Sequence, residues 1–110
     1  MGLIVSQIRV MYLNQLRLDL DYKIQLITQT RMSLSQSVSD LMQVGNDFDP
    51  ESPTTKMLQQ RQAKLKVLEQ KLEQQMAQYQ TRLDMVNTEL QSAKGVRDAN
   101  IKEAFTYRTS

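Results

Sequence analysis

Cysteine, histidine and tryptophan are absent from this 110-residue chain, and glycine and proline occur only three and two times. Without cysteine and histidine, the chain has no disulfide, no thiolate nucleophile, no zinc–thiolate site and no imidazole to act as a general base. The carboxylates that remain stand among other polar side chains, which is typical of a solvated surface. We therefore expect neither an enzyme nor a protein that holds a cofactor or a metal ion.

Long apolar runs and an excess of one charge are also missing. No run approaches the roughly 18 residues of a membrane-spanning helix, and the start of the chain lacks the basic residues and cleavage site of a signal peptide. The net charge is only +2, with acidic and basic residues interspersed, which argues against a nucleic-acid partner. We expect no transmembrane segment, no nucleic acid and no small-molecule substrate, and either export without a cleaved signal or a cytoplasmic location.

The strong helix breakers fall together in residues 45–53. Gly45 is placed to end a helix in the left-handed conformation, and Pro50 and Pro53 cannot continue one. Ser52 before Pro53 is the pattern of an N-cap followed by proline at the first helical position. Because a connection this short joins antiparallel neighbours, residues 45–53 are the predicted loop, or hinge, of a hairpin.

Apolar residues recur on both sides of this loop at steps of three and four, which is the helical signature. We therefore predict an all-α chain that forms one domain over residues 1–110. Its fold is a long antiparallel two-helix hairpin with helices at about 3–44 and 54–104, followed by a short tail. In this hairpin, positions whose numbers sum to about 98–100 lie opposite each other. The predicted seam between the helices comprises Leu16, Leu20, Ile24, Ile27, Leu34, Val38, Leu65, Leu68, Leu72, Met76, Tyr79, Leu83 and Leu90.

The first helix loses its two-faced character toward the N-terminus, where apolar residues from Leu3 to Ile27 point in nearly every direction around its axis. A helix that is apolar all round is buried all round, and one partner helix covers only one side. We therefore expect self-association, with further subunits covering the remaining faces. The predicted assembly interface comprises Leu3, Ile4, Ile8, Val10, Met11, Leu13, Leu18, Leu26, Ile101 and Phe105.

The outer positions of the second helix are rich in glutamine, which is polar without a fixed charge. Such a face is typical of solvated surface, and it would also suit the wall of a water-filled channel. Gln74 and Gln78 are the residues that we assign to a lumen face if the subunits form a tube. Gly95 interrupts the same helix near its end, where we expect mild destabilisation rather than a kink or a close-packing point.

Two stretches of the chain resemble the needle subunits of type III secretion systems, which are helical hairpins with a Pro-x-x-Pro type loop. Residues 49–53 resemble that loop, and residues 93–105 resemble the closing segment of the family. Flagellar axial proteins, which pair N- and C-terminal helices, have a related design. The chain departs from the family in its greater length and its apolar N-terminal segment. The residues of the closing segment that follow the family's order are Val96, Asp98, Ile101 and Phe105.

The resemblance implies a structural subunit that is exported to a bacterial surface appendage. It also implies that the subunit assembles with itself into a helical filament or a needle-like tube, and that an export chaperone is a second partner. A soluble coiled-coil adaptor or chaperone of a secretion, flagellar or phage system is the alternative, and a protein that lies on a lipid surface is a third. An open-ended filament needs contacts on several faces, whereas an adaptor dimer needs one self-complementary seam.

Overall fold

The computed structural model describes residues 2–45 and 49–109, which form two α-helices that pair as an antiparallel hairpin. Helix α1 covers Gly2–Gly45 and helix α2 covers Pro53–Thr109, so the predicted all-α hairpin is confirmed. The predicted end of the second helix near residue 104 is wrong. The helix continues because no glycine or proline follows Ala104, and the residues just before this point are good helix formers.

The connection between the helices is only partly described, because residues 46–48 of the predicted loop lie outside the described residues. Helix α1 ends at Gly45, but no described glycine has a positive φ. The predicted left-handed cap at Gly45 is therefore wrong. Gly45 still belongs to the last turn of α1, whereas a left-handed residue lies beyond the last helical residue.

A capped turn starts α2 at Pro53. The backbone N–H of Thr55 donates to Ser52 Oγ at 3.2 Å, which confirms the predicted N-cap. Before the cap, the N–H of Ser52 donates to the carbonyl oxygen of Asp49 at 3.0 Å, and the Thr55 hydroxyl donates to the same carbonyl at 2.6 Å. The bond from Thr55 N–H satisfies one of the first backbone donors of α2, and the two bonds to Asp49 fix the direction in which the chain enters the helix.

The hairpin divides into two compact units, each containing a segment of both helices. The terminal unit contains the residues up to Lys23 together with those from Tyr79 onward, and the loop-side unit contains Ile24–Gln78. The prediction of a single domain over residues 1–110 stays a prediction.

Burial follows a heptad pattern on each helix. Most of the buried and half-buried positions alternate in steps of three and four, which is the spacing of a coiled-coil seam, and Asn14, Leu16, Asp21 and Asn87 are half-buried beside it. On α1 these seam positions are Leu3, Ser6, Val10, Leu13, Arg17, Leu20, Ile24, Ile27, Arg31, Leu34, Val38, Leu41 and Gly45. On α2 they are Thr55, Leu58, Gln62, Leu65, Glu69, Leu72, Met76, Tyr79, Leu83, Val86, Leu90, Ala93, Arg97 and Asn100.

The best-buried side chains belong to the terminal unit. Its core contains Val10, Leu13, Leu20, Val86, Leu90 and Ala93, with Leu16, Tyr79 and Leu83 packed against it. Leu20 is the most deeply buried of them, at 1% exposure. In the loop-side unit the seam residues are mostly half-buried, and Ile27 and Thr55 are the exceptions among its described residues. Apolar packing is therefore densest around Leu20 and Leu90 rather than near the loop.

In the terminal unit, the register of the two helices differs from the predicted one by a few residues. It places Tyr79 opposite residues 19–21, but the ammonium group of Lys23 lies over the Tyr79 ring, 5.8 Å from its centroid. The hydrogen bonds from Asn100 to Gly2 and Ser6 point the same way, because these pairs of numbers sum to 102 and 106 rather than 98–100.

Leu68 was assigned to the wrong face. Its side chain is 45% exposed, while the neighbouring Glu69 is half-buried at a seam position. The seven-residue repeat of the seam places a residue at position 69 between Leu65 and Leu72, and Glu69 occupies this position although its side chain is charged.

The structure also rules out one of the alternatives for Gly95, because α2 runs through it and a Cβ there would meet nothing within 4 Å. It is not a close-packing point.

Candidate assembly surface

The side of α1 that faces away from α2 carries an exposed apolar row in the terminal unit. We call this row the outer stripe; it comprises Ile4, Ile8, Met11, Gln15, Leu18 and Tyr22, all of them exposed. The five apolar members remain 54–65% exposed. Single exposed apolar residues are common on proteins, whereas a row of five, interrupted only by Gln15, is a candidate interaction surface.

The outer stripe arises from the same sequence periodicity as the seam. Its members also alternate in steps of four and three, so they stay on one side of the helix when α1 follows the coiled-coil period. In a heptad these positions lie nearly opposite the seam. Val5 and Tyr12 widen the row on one flank, and both are about two-thirds exposed. The N-terminal part of α1 therefore has two apolar faces, of which α2 covers one.

Two of the predicted interface residues belong to the core instead. Val10 and Leu13 are each only 3% exposed and pack with α2 residues in the core of the terminal unit. The prediction was wrong because a helix that is apolar on all sides gives no contrast from which to choose a face. Leu3 is also a seam residue, although it remains half-buried.

Ile101 of α2 lies next to one end of the outer stripe. It lines a groove of about 390 Å³ together with Leu3, Ile4, Gln7 and Ile8. The structure thus brings four predicted interface residues, two of them from the outer stripe, to one apolar depression. Phe105 is further along α2 and is 69% exposed.

The remaining predicted site residues are exposed but are not gathered at the groove. Leu26 lies on α1 in the loop-side unit and is 44% exposed. Gln74 and Gln78 are exposed on α2 in the same unit. Their exposure agrees with a solvated face, and their assignment to a lumen stays a prediction.

Polar residues at seam positions are the feature that sequence reasoning missed. Asn100 Nδ2 donates to the carbonyl oxygen of Gly2 at 3.1 Å and to Ser6 Oγ at 3.2 Å. Arg17 Nε is buried and has no hydrogen-bond partner among the described residues. Ser6 lies seven residues before Leu13, which lies seven residues before Leu20. The heptad repeat therefore identifies Ser6 as a seam position, whereas a search for apolar residues alone does not.

Neither helix is apolar enough over any stretch of the described residues to cross a membrane. In the same part of the chain, no three acidic side chains come together as a metal site would require. No family model, curated protein or solved structure matches this chain. Function is therefore inferred from the surface itself.

Proposed function

We propose that this chain is a structural subunit that assembles with copies of itself through the terminal unit. The observation that carries the proposal is the exposed outer stripe of α1, on the side of the helix opposite a well-packed core. Leaving this many large apolar side chains in water is unfavourable, at about 25 cal/mol per Å² of apolar surface. A second subunit that covered the stripe would recover this free energy.

The finer proposal concerns the kind of assembly. We infer a helical filament or needle-like tube of a bacterial secretion or flagellar-type appendage, reached by export without a cleaved signal and with the help of an export chaperone. The resemblance of residues 49–53 and 93–105 to needle subunits supports this inference. An extended polymer needs at least two different contacts. The exposed C-terminal residue Phe105 offers apolar surface outside the stripe and its groove.

Sedimentation velocity and negative-stain electron microscopy of the full chain over a range of concentrations test this proposal. We expect large, elongated assemblies that grow with concentration. The Ile8→Asp variant should lose them, because a charge enters an apolar contact. Gln74→Lys is the control, since Gln74 is exposed in the loop-side unit, and this variant should assemble as the wild type does.

Two results would overturn the filament proposal. A wild-type chain that stays monomeric at every concentration has no self-assembly to explain. A wild-type chain that stops at a discrete dimer is not an open polymer, and that result favours the soluble coiled-coil adaptor. Filaments formed by the Ile8→Asp variant would show that the contact lies elsewhere on the subunit.

A further inference from the structure

The outer stripe has a pattern that reads the same in both directions. From Ile4 to Tyr22 its steps are four, three, four, three and four residues. When two such stripes run antiparallel, every member therefore meets a member of the other copy. The pairs are Ile4 with Tyr22, Ile8 with Leu18, and Met11 with Gln15, each occurring twice.

We propose that the first contact between subunits is an antiparallel pairing of α1 with α1 of a second copy, made through the outer stripe. This inference rests on the proposed self-assembly and names the surface and partner that begin it. The stripe already has the 3.5-residue period with which α1 packs against α2 in its own hairpin. A second helix can therefore pack on it with the same side-chain interdigitation, which leaves α1 between α2 on one side and the partner helix on the other.

The area of the stripe fits a pairing of two copies. Its five apolar side chains and the flanking Val5 and Tyr12 are each more than half exposed. A standard interface takes about 800 Å² from each partner, and seven large apolar side chains that are each more than half exposed supply surface on this scale. A lipid surface fits this face less well, because membrane-surface helices are rich in lysine and arginine along their polar borders, whereas here Arg9 and Lys23 are balanced by Asp19 and Asp21.

The same two carboxylates favour the antiparallel over the parallel arrangement. In a parallel pair, Asp19 and Asp21 of both copies would gather at one level of the interface and repel each other. In the antiparallel pair they lie at opposite ends, roughly 18–24 Å apart along the axis, where salt screens most of their interaction. Asp19 also accepts a salt bridge from Lys23 within its own subunit, at 3.3 Å.

The groove beside Ile4 and Ile8 gives the pairing a specific anchor. Ile101 of α2 completes this groove of about 390 Å³, and Tyr22 of the second copy is the residue that meets Ile4. A tyrosine suits such a place, because its ring fills the apolar depression while its hydroxyl remains at the wet rim. Both ends of the two-fold pair have the same anchor.

Disulfide trapping tests the geometry, since the natural chain has no cysteine. Full-length Ile8→Cys and Leu18→Cys variants, carrying tags of different size, are mixed and oxidised at a concentration where the wild type assembles. The antiparallel pair brings residue 8 of one copy to residue 18 of the other. Two copies of residue 8 would lie roughly 15 Å apart, beyond the ~7 Å between Cα atoms that a disulfide spans.

We expect the mixed disulfide to exceed either homodimer about tenfold, because only the mixed pair meets the distance limit. Met85→Cys is the matched control, since Met85 is 60% exposed on α2 and should form little mixed disulfide with either variant. An excess of Ile8→Cys homodimer would overturn the proposal in favour of a parallel pair. Assembly without any trapped pair would overturn this contact and leave the proposed function standing.

Two further results separate this inference from the filament proposal. A discrete wild-type dimer with strong 8-to-18 trapping supports the antiparallel pair and overturns only the filament. A wild-type monomer that binds phosphatidylcholine–phosphatidylserine vesicles, and gives no trapping in their absence, overturns both proposals and assigns the stripe to a lipid surface.

Discussion

Asn100 of α2 donates a hydrogen bond to Ser6 Oγ of α1 at 3.2 Å, and the Ser6 hydroxyl donates in turn to the carbonyl oxygen of Leu3 at 3.0 Å. Asn100 also donates to the carbonyl oxygen of Gly2 at 3.1 Å. A polar residue at a seam position restricts the register of a coiled coil, because a shifted helix would leave it unpaired. These bonds therefore hold the start of α1 against α2.

Replacing Asn100 with alanine should release the start of α1. We expect a loss of about 1 kcal/mol in the free energy of unfolding, because two hydrogen bonds are removed and water replaces them in part. Amide hydrogen exchange should accelerate in the first turns of α1 and remain unchanged near Leu20. Asn87→Ala is the control, since Asn87 is also half-buried on α2. Equal exchange in the two variants would contradict a role for Asn100 in the register.

Arg17 presents the opposite case, because its buried Nε has no hydrogen-bond partner among the described residues. A buried donor without a partner costs about 1–3 kcal/mol. Arg17→Met, which keeps much of the length of the side chain, should raise the free energy of unfolding by about 1 kcal/mol in urea denaturation. Arg9→Met is the comparison, since Arg9 is exposed and should change stability by less than about 0.5 kcal/mol. A destabilised Arg17→Met variant would mean that the guanidinium group contributes through its other nitrogens.

The fold could be read from the sequence because its strongest signals are local. Pro50 and Pro53 cannot lie inside a helix, and Ser52 is a good cap, so the restart of the chain was predictable to the residue. The phase of the seam was harder to predict. Hydrophobicity favours Leu68 as the seam residue, whereas the seven-residue repeat favours Glu69, its neighbour on a different face. Only the repeat along the whole helix decides between them.

The assembly surface was predictable only in part for a related reason. Between Leu3 and Ile27 the first helix is apolar on every side, so hydrophobicity alone could not separate Val10, which is buried, from Ile8, which is exposed. The register of the two helices could not be read from these residues either, because steps of three and four repeat every seven residues and fit more than one alignment of the two seams.

The corrected seam makes Leu68 and Leu72 a matched pair for truncation. Leu72 is half-buried at a seam position, so Leu72→Ala should lower the free energy of unfolding by about 1–3 kcal/mol, less than for a fully buried leucine. Leu68 is 45% exposed, and Leu68→Ala should change it by less than about 0.5 kcal/mol. Urea denaturation followed by far-ultraviolet circular dichroism measures both. A larger loss at Leu68 would restore the phase first predicted from the sequence.

Val10 and Ile8 lie two positions apart on α1, yet they should respond differently to the same charge. Val10 is 3% exposed in the core of the terminal unit, whereas Ile8 is 60% exposed on the outer stripe. In Val10→Asp, an unpaired carboxylate would be buried among Leu13, Leu90 and Ala93. We expect a loss of roughly 3–5 kcal/mol, because the carboxylate loses its hydration among these apolar side chains. In Ile8→Asp the carboxylate stays in water, and the hairpin should lose less than about 0.5 kcal/mol.

Circular dichroism and urea denaturation of the two variants, at a concentration where the wild type does not assemble, separate these effects. Val10→Asp should lose much of its helical signal or unfold at a far lower urea concentration, while Ile8→Asp should unfold as the wild type does. Raising the concentration should then assemble the wild type but not Ile8→Asp, since the charge enters the contact only when a second subunit arrives. If Ile8→Asp also unfolds under dilute conditions, the outer stripe contributes to the fold of the single hairpin. Ile8 would then belong to the core of the subunit, and its effect on assembly would follow from the loss of structure.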